Sequence, residues 1–198
     1  GIPGETPRNS PSSPLTTEVL ERVRRRDPDA LAILFDEHFG RIYGLAITML
    51  RDRAAAEDLT QEVFLRVYRA AHQIDIDRNP KPWLMTITAN LCREKWRSRE
   101  GQQAKRTSSL DTKPEVASAL ANGAADPEGR LREKERDRLL REAIGELPEP
   151  MRLVVILTLQ DLNRKEVAEI LDLDPAVVRQ RYHRALKKLR EKFPDGWK

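Results

Sequence analysis

The residues whose types and spacing most clearly suggest a chemical function lie near the end of the chain. They fall in the stretch NRKEVAEILDLDPAVVRQRYHRALKKL, which runs from Asn163 to Leu189. Cations and one amide fall on one side of its second half: Arg179, Gln180, His183, Arg184, Lys187 and Lys188. Guanidinium and ammonium groups bind phosphate oxygens, and an amide can pair with a base edge. This combination of residue types indicates DNA binding rather than catalysis.

Two short helices joined by a tight turn are predicted to position these side chains. Asn163 and Glu166 have the spacing of a capping box, and Asp174 followed by Pro175 is a typical helix start. The buried stripe of the second helix recurs at helical spacing: Val178, Tyr182, Ala185 and Leu189. The pattern predicts a helix-turn-helix whose basic second helix enters a DNA major groove. The alternative is a helical hairpin with a solvated charged face.

Helical periodicity also covers most of the remaining chain. Helices are predicted at about 17–26, 28–49, 53–71, 83–99, 127–147 and 151–159. Residues 1–15 are rich in Pro, Ser and Gly and are predicted to be disordered, and residues 100–126 have the weak periodicity of a flexible linker. The predicted fold is therefore all-α, with two small helical bundles (16–99 and 127–198) joined by that linker, the second containing the helix-turn-helix. The sequence leaves open whether the two bundles pack together.

An acidic and amide patch is predicted on the third helix. Its members lie opposite the apolar stripe of Leu59, Val63 and Val67: Glu57, Asp58, Gln61 and Glu62. Taken alone, this pattern favours an ordinary solvated face over a binding surface.

The fourth helix, PWLMTITANLCREKWRSR, mixes aromatic and cationic residues toward its end. Sites for single-stranded or melted DNA use this mixture, because bases stack on rings while phosphates pair with Lys and Arg. Trp83 is predicted to be a core residue. For Trp96, a core position and a base-stacking position both stay open.

Composition argues against several other classes of protein. The 198 residues carry a net charge of +4 from many cations and nearly as many acids, which suits contact with both nucleic acid and protein. One cysteine, Cys92, excludes an internal disulfide and fits a reducing compartment. The three histidines lie in different elements without a partner at metal spacing, and there is no Gly-rich phosphate loop, so no metal, cofactor or catalytic activity is predicted. No apolar run approaches the roughly 20 residues that span a membrane.

Three segments in order make the chain resemble a known family. DRAAAEDLTQEVFLRVYRA and PKPWLMTITANLCREKWR are followed, after the linker, by AIGELPEPMRLVVILTLQDLNRKEVAEILDLDPAVVRQRYHRALKKLRE. Over residues 16–193 this arrangement closely resembles bacterial RNA polymerase sigma factors of the extracytoplasmic-function (ECF) group. The resemblance implies a region-two domain and a region-four domain that recruit core RNA polymerase to promoters and assist melting.

The resemblance also assigns roles to residues. The surface for core RNA polymerase would comprise Asp58, Gln61, Glu62 and Phe64. The surface for the promoter −10 element would comprise Asp75, Arg78, Trp83, Asn90, Arg93, Trp96 and Arg97. The reader of the −35 element would comprise Arg179, Gln180, His183, Arg184 and Lys187.

The implied partners are core RNA polymerase, promoter DNA and an anti-sigma factor, often membrane-anchored. The protein would be a monomer when free, in the bacterial cytoplasm, without stable membrane insertion. An anti-sigma factor is expected to clamp the two domains together. The rival interpretations are a DNA-binding regulator that acts alone and an enzyme that modifies nucleic acids, but the chain shows neither an evident dimerisation helix nor clustered acids.

The chain departs from the family pattern at several positions. Asp161 and Asp172 stand where the family often has Gly, Ala176-Val177-Val178 where it often has Gly-Thr-Val, and Gln180 where it often has Ser. Val177 lacks the hydroxyl that Thr would aim at a phosphate, and Gln180 could read a base edge, adenine preferentially. The departures put a standard −35 preference in doubt and leave the fold prediction unchanged.

Overall fold

The computed structural model describes residues 14–103 and 127–193, with side chains described for residues 14–98 and 135–193. Over these residues the chain is all-α, with one short 3₁₀ turn at Ala71–Gln73. The helices are α1 Thr17–Arg24, α2 Pro28–Leu50, α3 Arg53–Ala70, α4 Lys81–Gln103, α5 Pro127–Gly145, α6 Glu149–Thr158, α7 Arg164–Leu171 and α8 Pro175–Lys192.

Side-chain caps fix the predicted helix starts. Asp27 accepts from the Ala30 amide at 3.0 Å and begins α2, and Asp52 accepts from the Ala55 amide at 2.9 Å and begins α3. Such caps satisfy amide groups that have no partner within the helix. The predicted helix starts at Pro28 and Arg53 are therefore confirmed.

Two helices begin earlier than the sequence predicted. α4 begins at Lys81 rather than Trp83, and α6 begins at Glu149 rather than Met151. In both cases a proline lies in the first helical turn, where its missing N–H would have had no helical partner. α4 also extends to Gln103, so residues 100–103, assigned above to the linker, are helical. Disorder was predicted for residues 1–15, of which residues 1–13 lie outside the described residues, as does the rest of the linker. At Leu15 the prediction is wrong, because this side chain is 2% exposed and packs in the core of the first bundle.

Each bundle buries one stripe of every helix it contains. In the first, α1–α4 enclose side chains that are fully buried, among them Leu34, Ile42, Met49, Leu59 and Leu84. In the second, α5–α8 enclose Leu153, Leu157, Val167 and Val178 in the same way. These stripes hold the outward faces of α3, α4 and α8 in fixed orientations, because each helix can rotate only by exposing apolar surface.

The two bundles pack against each other. α2 contacts α5 and α6, and α4 contacts α7. The buried apolar residues of both bundles form one continuous cluster. The structure thus settles what the sequence left open: the second bundle lies against the long helices α2 and α4 of the first.

Candidate nucleic-acid interface

The helix-turn-helix forms as the sequence predicts. Asn163 accepts from the Lys165 and Glu166 amides at 2.9 and 3.1 Å, and the Glu166 carboxylate accepts from the Asn163 amide at 2.8 Å. Asp174 accepts from the Ala176 amide at 2.7 Å and begins α8, with Pro175 in its first turn. Both helices are therefore locked at their starts, which fixes the direction in which α8 presents its side chains.

The outward face of α8 is polar and cationic. Val178, Ala185 and Leu189 are buried, and Tyr182 packs against the core while partly exposed. The predicted DNA-facing side chains are all exposed: Arg179, Gln180, His183, Arg184 and Lys187. A capped helix with one buried side and one cationic side fits a major groove.

Two aspartates close turns of the second bundle in left-handed backbone conformations. Asp161 has φ 57° and Asp172 has φ 52°. L-residues other than Asn and Asp rarely adopt this region, and glycine adopts it without penalty. These are the two positions at which the resembling family often has Gly, so the departures keep the turn geometry by using a tolerated residue.

The acidic patch of α3 is solvent-facing. Glu57, Asp58 and Gln61 are exposed and Glu62 is partly exposed. Two of the carboxylates pair along the helix, Glu57 with Arg53 at 2.8 Å and Glu62 with Arg66 at 3.1 Å. Asp58 and Gln61 remain as exposed polar groups beside the buried Leu59 stripe.

Phe64 borders this patch and is partly buried. Its ring centroid lies 4.4 Å from that of Phe35 and 6.1 Å from that of Phe39. Phe39 is itself 50% exposed and stacks on Tyr43 at 5.9 Å. An aromatic cluster therefore adjoins the acidic patch. Phe64 was predicted from the sequence and Phe39 was missed. Phe39 lies four residues after Phe35 and four before Tyr43 on α2, and this spacing was the available signal.

The predicted −10 residues divide into two groups. Asp75 and Arg78 are exposed in the α3–α4 loop and pair at 3.4 Å. On α4, Asn90 and Arg97 are exposed, whereas Trp83 packs against the core as predicted.

Arg93 and Trp96 make the second group, and both contact the second bundle. The Arg93 Nη2 donates to the Leu171 carbonyl at 3.2 Å, and its Nε lies 3.7 Å from the Glu149 carboxylate. The Arg152 guanidinium lies over the Trp96 ring, with its Cζ 4.5 Å from the ring centroid. Trp96 is thus neither a core residue nor free for base stacking in this arrangement.

Arg152 joins the two bundles at this point. It is 3% exposed, although it is a charged residue within the apolar run of α6. Its Nη1 donates to the Met49 carbonyl in the first bundle at 2.8 Å, while Nε and Nη2 donate to the Leu147 carbonyl at 3.2 and 2.8 Å. One buried cation therefore closes the end of α5 and holds α6 against α2.

A second polar link lies at the other end of α6. The Gln160 Nε2 donates to the Arg41 carbonyl at 3.0 Å, and the Lys81 Nζ donates to the Gln160 carbonyl at 3.1 Å. Partial burial, and then the neighbouring Arg41, lower the pKa of Lys81. The sequence missed Arg41, Lys81, Arg152 and Gln160. A single charged residue within the apolar run MRLVVILTL was the one available signal.

Two further titratable residues, His38 and Cys92, are buried in the first bundle. His38 lies among apolar side chains, and neither ring nitrogen has a hydrogen-bond partner among the described residues. Burial, reinforced by Arg41 and Lys81, lowers the pKa of His38 to about 4. Burial raises the pKa of the Cys92 thiol to about 12. No group of three or more potential metal ligands occurs among the side chains described for residues 14–98 and 135–193.

Two family models match the chain over the two bundles. Residues 34–102 match Sigma-70 region 2, and residues 137–189 match Sigma-70 region 4. The RNA polymerase sigma factor CarQ of Myxococcus xanthus is 31% identical over 173 residues, which cover 87% of this chain and 94% of that protein. The chain belongs to the ECF-type RNA polymerase sigma factors.

Other relatives agree with this assignment. The ECF RNA polymerase sigma factor SigW of Bacillus subtilis is 29% identical to this sigma factor over 182 residues, which cover 89% of this chain and 95% of that protein. Promoter-specific transcription initiation through RNA polymerase, with promoter DNA and the core enzyme as partners, is therefore the function of this sigma factor.

Solved structures show the same fold. CnrH in complex with the cytosolic domain of CnrY matches with a TM-score of 0.64 and 20% identity, over 92% of this chain and 99% of that one. RpoE in complex with the anti-sigma factor NepR from Bartonella quintana matches with a TM-score of 0.60 and 19% identity, over 91% and 94%. Among the described residues, no helix is long and apolar enough to cross a membrane.

Proposed function

We propose that three surfaces divide the work of this sigma factor: α8 reads the −35 element, the α3–α4 loop and α4 hold the melted −10 element, and the acidic patch of α3 binds core polymerase. The observation that carries the proposal is the exposed cationic face of α8, fixed by two caps and a buried stripe. The chain supplies binding and no catalysis of its own. Run-off transcription with core polymerase on a genomic promoter library tests the whole assignment, and core polymerase alone should give no specific start.

Polymerase binding is assigned to Asp58, Gln61, Glu62 and Phe64. Reversing two exposed charges, with Asp58→Lys and Glu62→Lys, should weaken binding to core polymerase, because a complementary surface then meets like charge. The fold should survive, since exposed pairs such as Glu62 with Arg66 contribute about 0–1 kcal/mol.

The matched control reverses Glu18 and Asp29, which are also exposed but lie on α1 and at the start of α2. A fluorescence titration with core polymerase compares the two double variants with wild type. Equal affinity of all three proteins would remove the assignment of the α3 patch.

The −35 assignment separates base reading from phosphate binding on α8. Arg179 and Gln180 lie in its first turns, which enter the groove deepest, and Arg184 and Lys187 lie toward its end. Replacing Gln180 should change preference at one base position by roughly 1–3 kcal/mol. Replacing Lys187 should weaken all sequences alike and lower the salt slope by about one. Binding to a randomised −35 library measures both, and a uniform loss for both variants would contradict the division.

The −10 assignment requires the second bundle to move away from α4. Asn90 and Arg97 are already exposed, but Arg93 and Trp96 are engaged by Leu171 and Arg152. The free protein should therefore bind −10 single strands weakly, and the complex with core polymerase should bind them tightly. Trp96→Ala should weaken single-strand binding by the complex with core polymerase much more than binding by the free protein. A free chain that already binds the single strand at full affinity, through Trp96, would contradict this account.

An anti-sigma factor is the proposed regulator. RpoE, a structural neighbour, was solved with the anti-sigma factor NepR, and CnrH was solved with the cytosolic domain of CnrY. In the present structure the two bundles already lie together in a form that one partner could hold. Bivalent capture raises affinity through effective concentration. The proposed location is the cytoplasm, at the inner membrane where that partner is anchored.

Cutting the chain between residues 101 and 126 tests the two-domain clamp. The intact chain should bind the partner more tightly than either half does. If one isolated half binds as tightly as the whole chain, the inhibitor masks a single surface and the clamp is ruled out.

A further inference from the structure

The outward face of α8 begins with an apolar residue. Ala176 is exposed, and the spacing of four, three and four residues places Gln180, His183 and Lys187 on the same line of the helix. Ala176, Gln180 and His183, together with flanking side chains, surround a shallow surface concavity of about 540 Å³. Its lining residues are Ala176, Val177, Arg179, Gln180, His183 and Arg184.

The core does not require this alanine. The buried side of α8 is made by Val178, Ala185 and Leu189, on the opposite side of the helix. The Ala176 amide is instead held by the Asp174 carboxylate at 2.7 Å, which fixes the position of the Ala176 methyl group relative to the turn. A small apolar group is thus held rigidly at the start of a cationic, groove-facing surface.

The chemistry of the major groove supplies one match for such a group. The thymine 5-methyl is the distinctive apolar feature of a base-pair edge there, and alanine contacts it well. Gln180 lies one helical turn further on, and glutamine pairs with adenine in two hydrogen bonds. One turn advances about 5.4 Å, which corresponds to one or two base steps of about 3.4 Å.

Resting on the proposed −35 role of α8, we propose that Ala176 reads the 5-methyl group of a thymine, one or two base pairs from the adenine that Gln180 reads. The occupant of the concavity is then a T·A pair of the −35 element. The cationic flanks of α8 hold the phosphates on either side and bring the methyl groups into contact. Val177 also lines the concavity, but it lies about 100° round the helix from Ala176.

Removal of the methyl group from DNA tests the proposal without altering the protein. Deoxyuridine replaces thymine at each position of the preferred −35 duplex in turn, and binding of the complex with core polymerase is titrated. One position should lose about fourfold in affinity, the worth of one buried methyl group. At that same position, 5-methylcytosine should be bound more tightly than cytosine.

Protein variants identify the residue that makes the contact. Ala176→Gly should abolish the methyl effect at that one position, and Ala176→Ser, which retains a side chain at this helix position, should reduce it. Glu191→Ala, at an exposed position near the end of α8 and outside the concavity, is the control and should leave the effect intact. Thermal unfolding of each variant establishes that the helix-turn-helix remains folded.

The outcomes separate this inference from the function on which it rests. Loss of the methyl effect in Ala176→Gly, with preference for adenine retained, supports the contact. A −35 element read by Gln180 with no methyl effect at any position overturns the contact and leaves the −35 assignment standing. Binding that is equal for all −35 sequences overturns both.

Discussion

Replacing Arg152 should release the two bundles from each other. The Arg152→Met variant keeps an unbranched apolar stem and removes the guanidinium, which is 3% exposed between α2, α4 and α6. Two contacts with the first bundle are lost: the 2.8 Å hydrogen bond to the Met49 carbonyl and the 4.5 Å contact with the Trp96 ring. The variant also loses the hydrogen bonds to the Leu147 carbonyl, so the stability of the second bundle itself should decrease.

The size of the effect follows from those contacts. A hydrogen bond from a charged group contributes about 1.5–3 kcal/mol, and a desolvated cation–π contact about 0.5–2 kcal/mol. Desolvation of the cation offsets part of this sum, so a net change of about 1–4 kcal/mol in the packing of the bundles is expected. That is at least a roughly fivefold shift toward separated bundles, at about 1.4 kcal/mol per factor of ten.

Fluorescence energy transfer measures the separation. Dyes are placed at Asp36→Cys on α2 and Glu169→Cys on α7, two exposed sites in different bundles. Cys92 is fully buried and should not compete for the label. Transfer efficiency should fall in the Arg152→Met variant and rise back toward wild type when an anti-sigma partner binds.

The control variant is Arg138→Met. Arg138 is exposed on α5 and pairs with Glu135 and Glu142 within its own helix, so its loss should leave transfer efficiency unchanged. If the Arg152 variant keeps wild-type transfer and wild-type thermal stability, the guanidinium does not hold the bundles together and the reasoning from its contacts is wrong.

Four further outcomes are expected. Burial and neighbouring cations lower the pKa of His38 from 6.5 to about 4, so between these pH values the unfolded chain binds a proton that the folded chain does not. The free energy of unfolding therefore decreases as the pH is lowered from 6.5 toward 4. Urea unfolding at pH 8 and pH 5 should therefore show a loss about 2 kcal/mol larger for wild type than for His38→Leu, and equal losses would contradict the assignment. Asn163→Ala should lower the free energy of unfolding by about 1 kcal/mol through the lost cap, whereas exposed Lys165→Ala should not. Asp172→Gly should raise the free energy of unfolding by up to about 1 kcal/mol, because φ at this position is 52° and glycine adopts this conformation without strain. A decrease in the free energy of unfolding would show that the aspartate makes a compensating contact. Cys92, whose pKa burial raises to about 12, should react with a disulfide reagent at pH 8 only after unfolding, and rapid native reaction would refute its burial.

Local structure was predictable because its causes are local. The capping box at Asn163, the cap at Asp174 and the buried stripe through Val178 and Leu189 are each written within a few residues of one another, and all of them form. The outward, cationic face of α8 follows from the same spacing. The errors at the starts of α4 and α6 have a local cause too, since a proline in the first turn was read as lying outside the helix.

The packing of the bundles was decided by the tertiary structure alone. Arg152 donates to the Met49 carbonyl, 103 residues away along the chain, and Gln160 donates to the Arg41 carbonyl, 119 residues away. Neither pair of residues leaves a periodic signal in the sequence, because every residue has a backbone carbonyl and the carbonyl carries no information about its residue type.

The state of the −10 surface depends on that packing. Composition and spacing placed aromatic and cationic residues at the end of α4, and they lie there. The sequence could not show that Arg93 and Trp96 face the second bundle, because a side chain that protrudes from one bundle is exposed until another bundle covers it. Sequence therefore determined which surfaces exist in this sigma factor, and tertiary packing determined which of them are accessible.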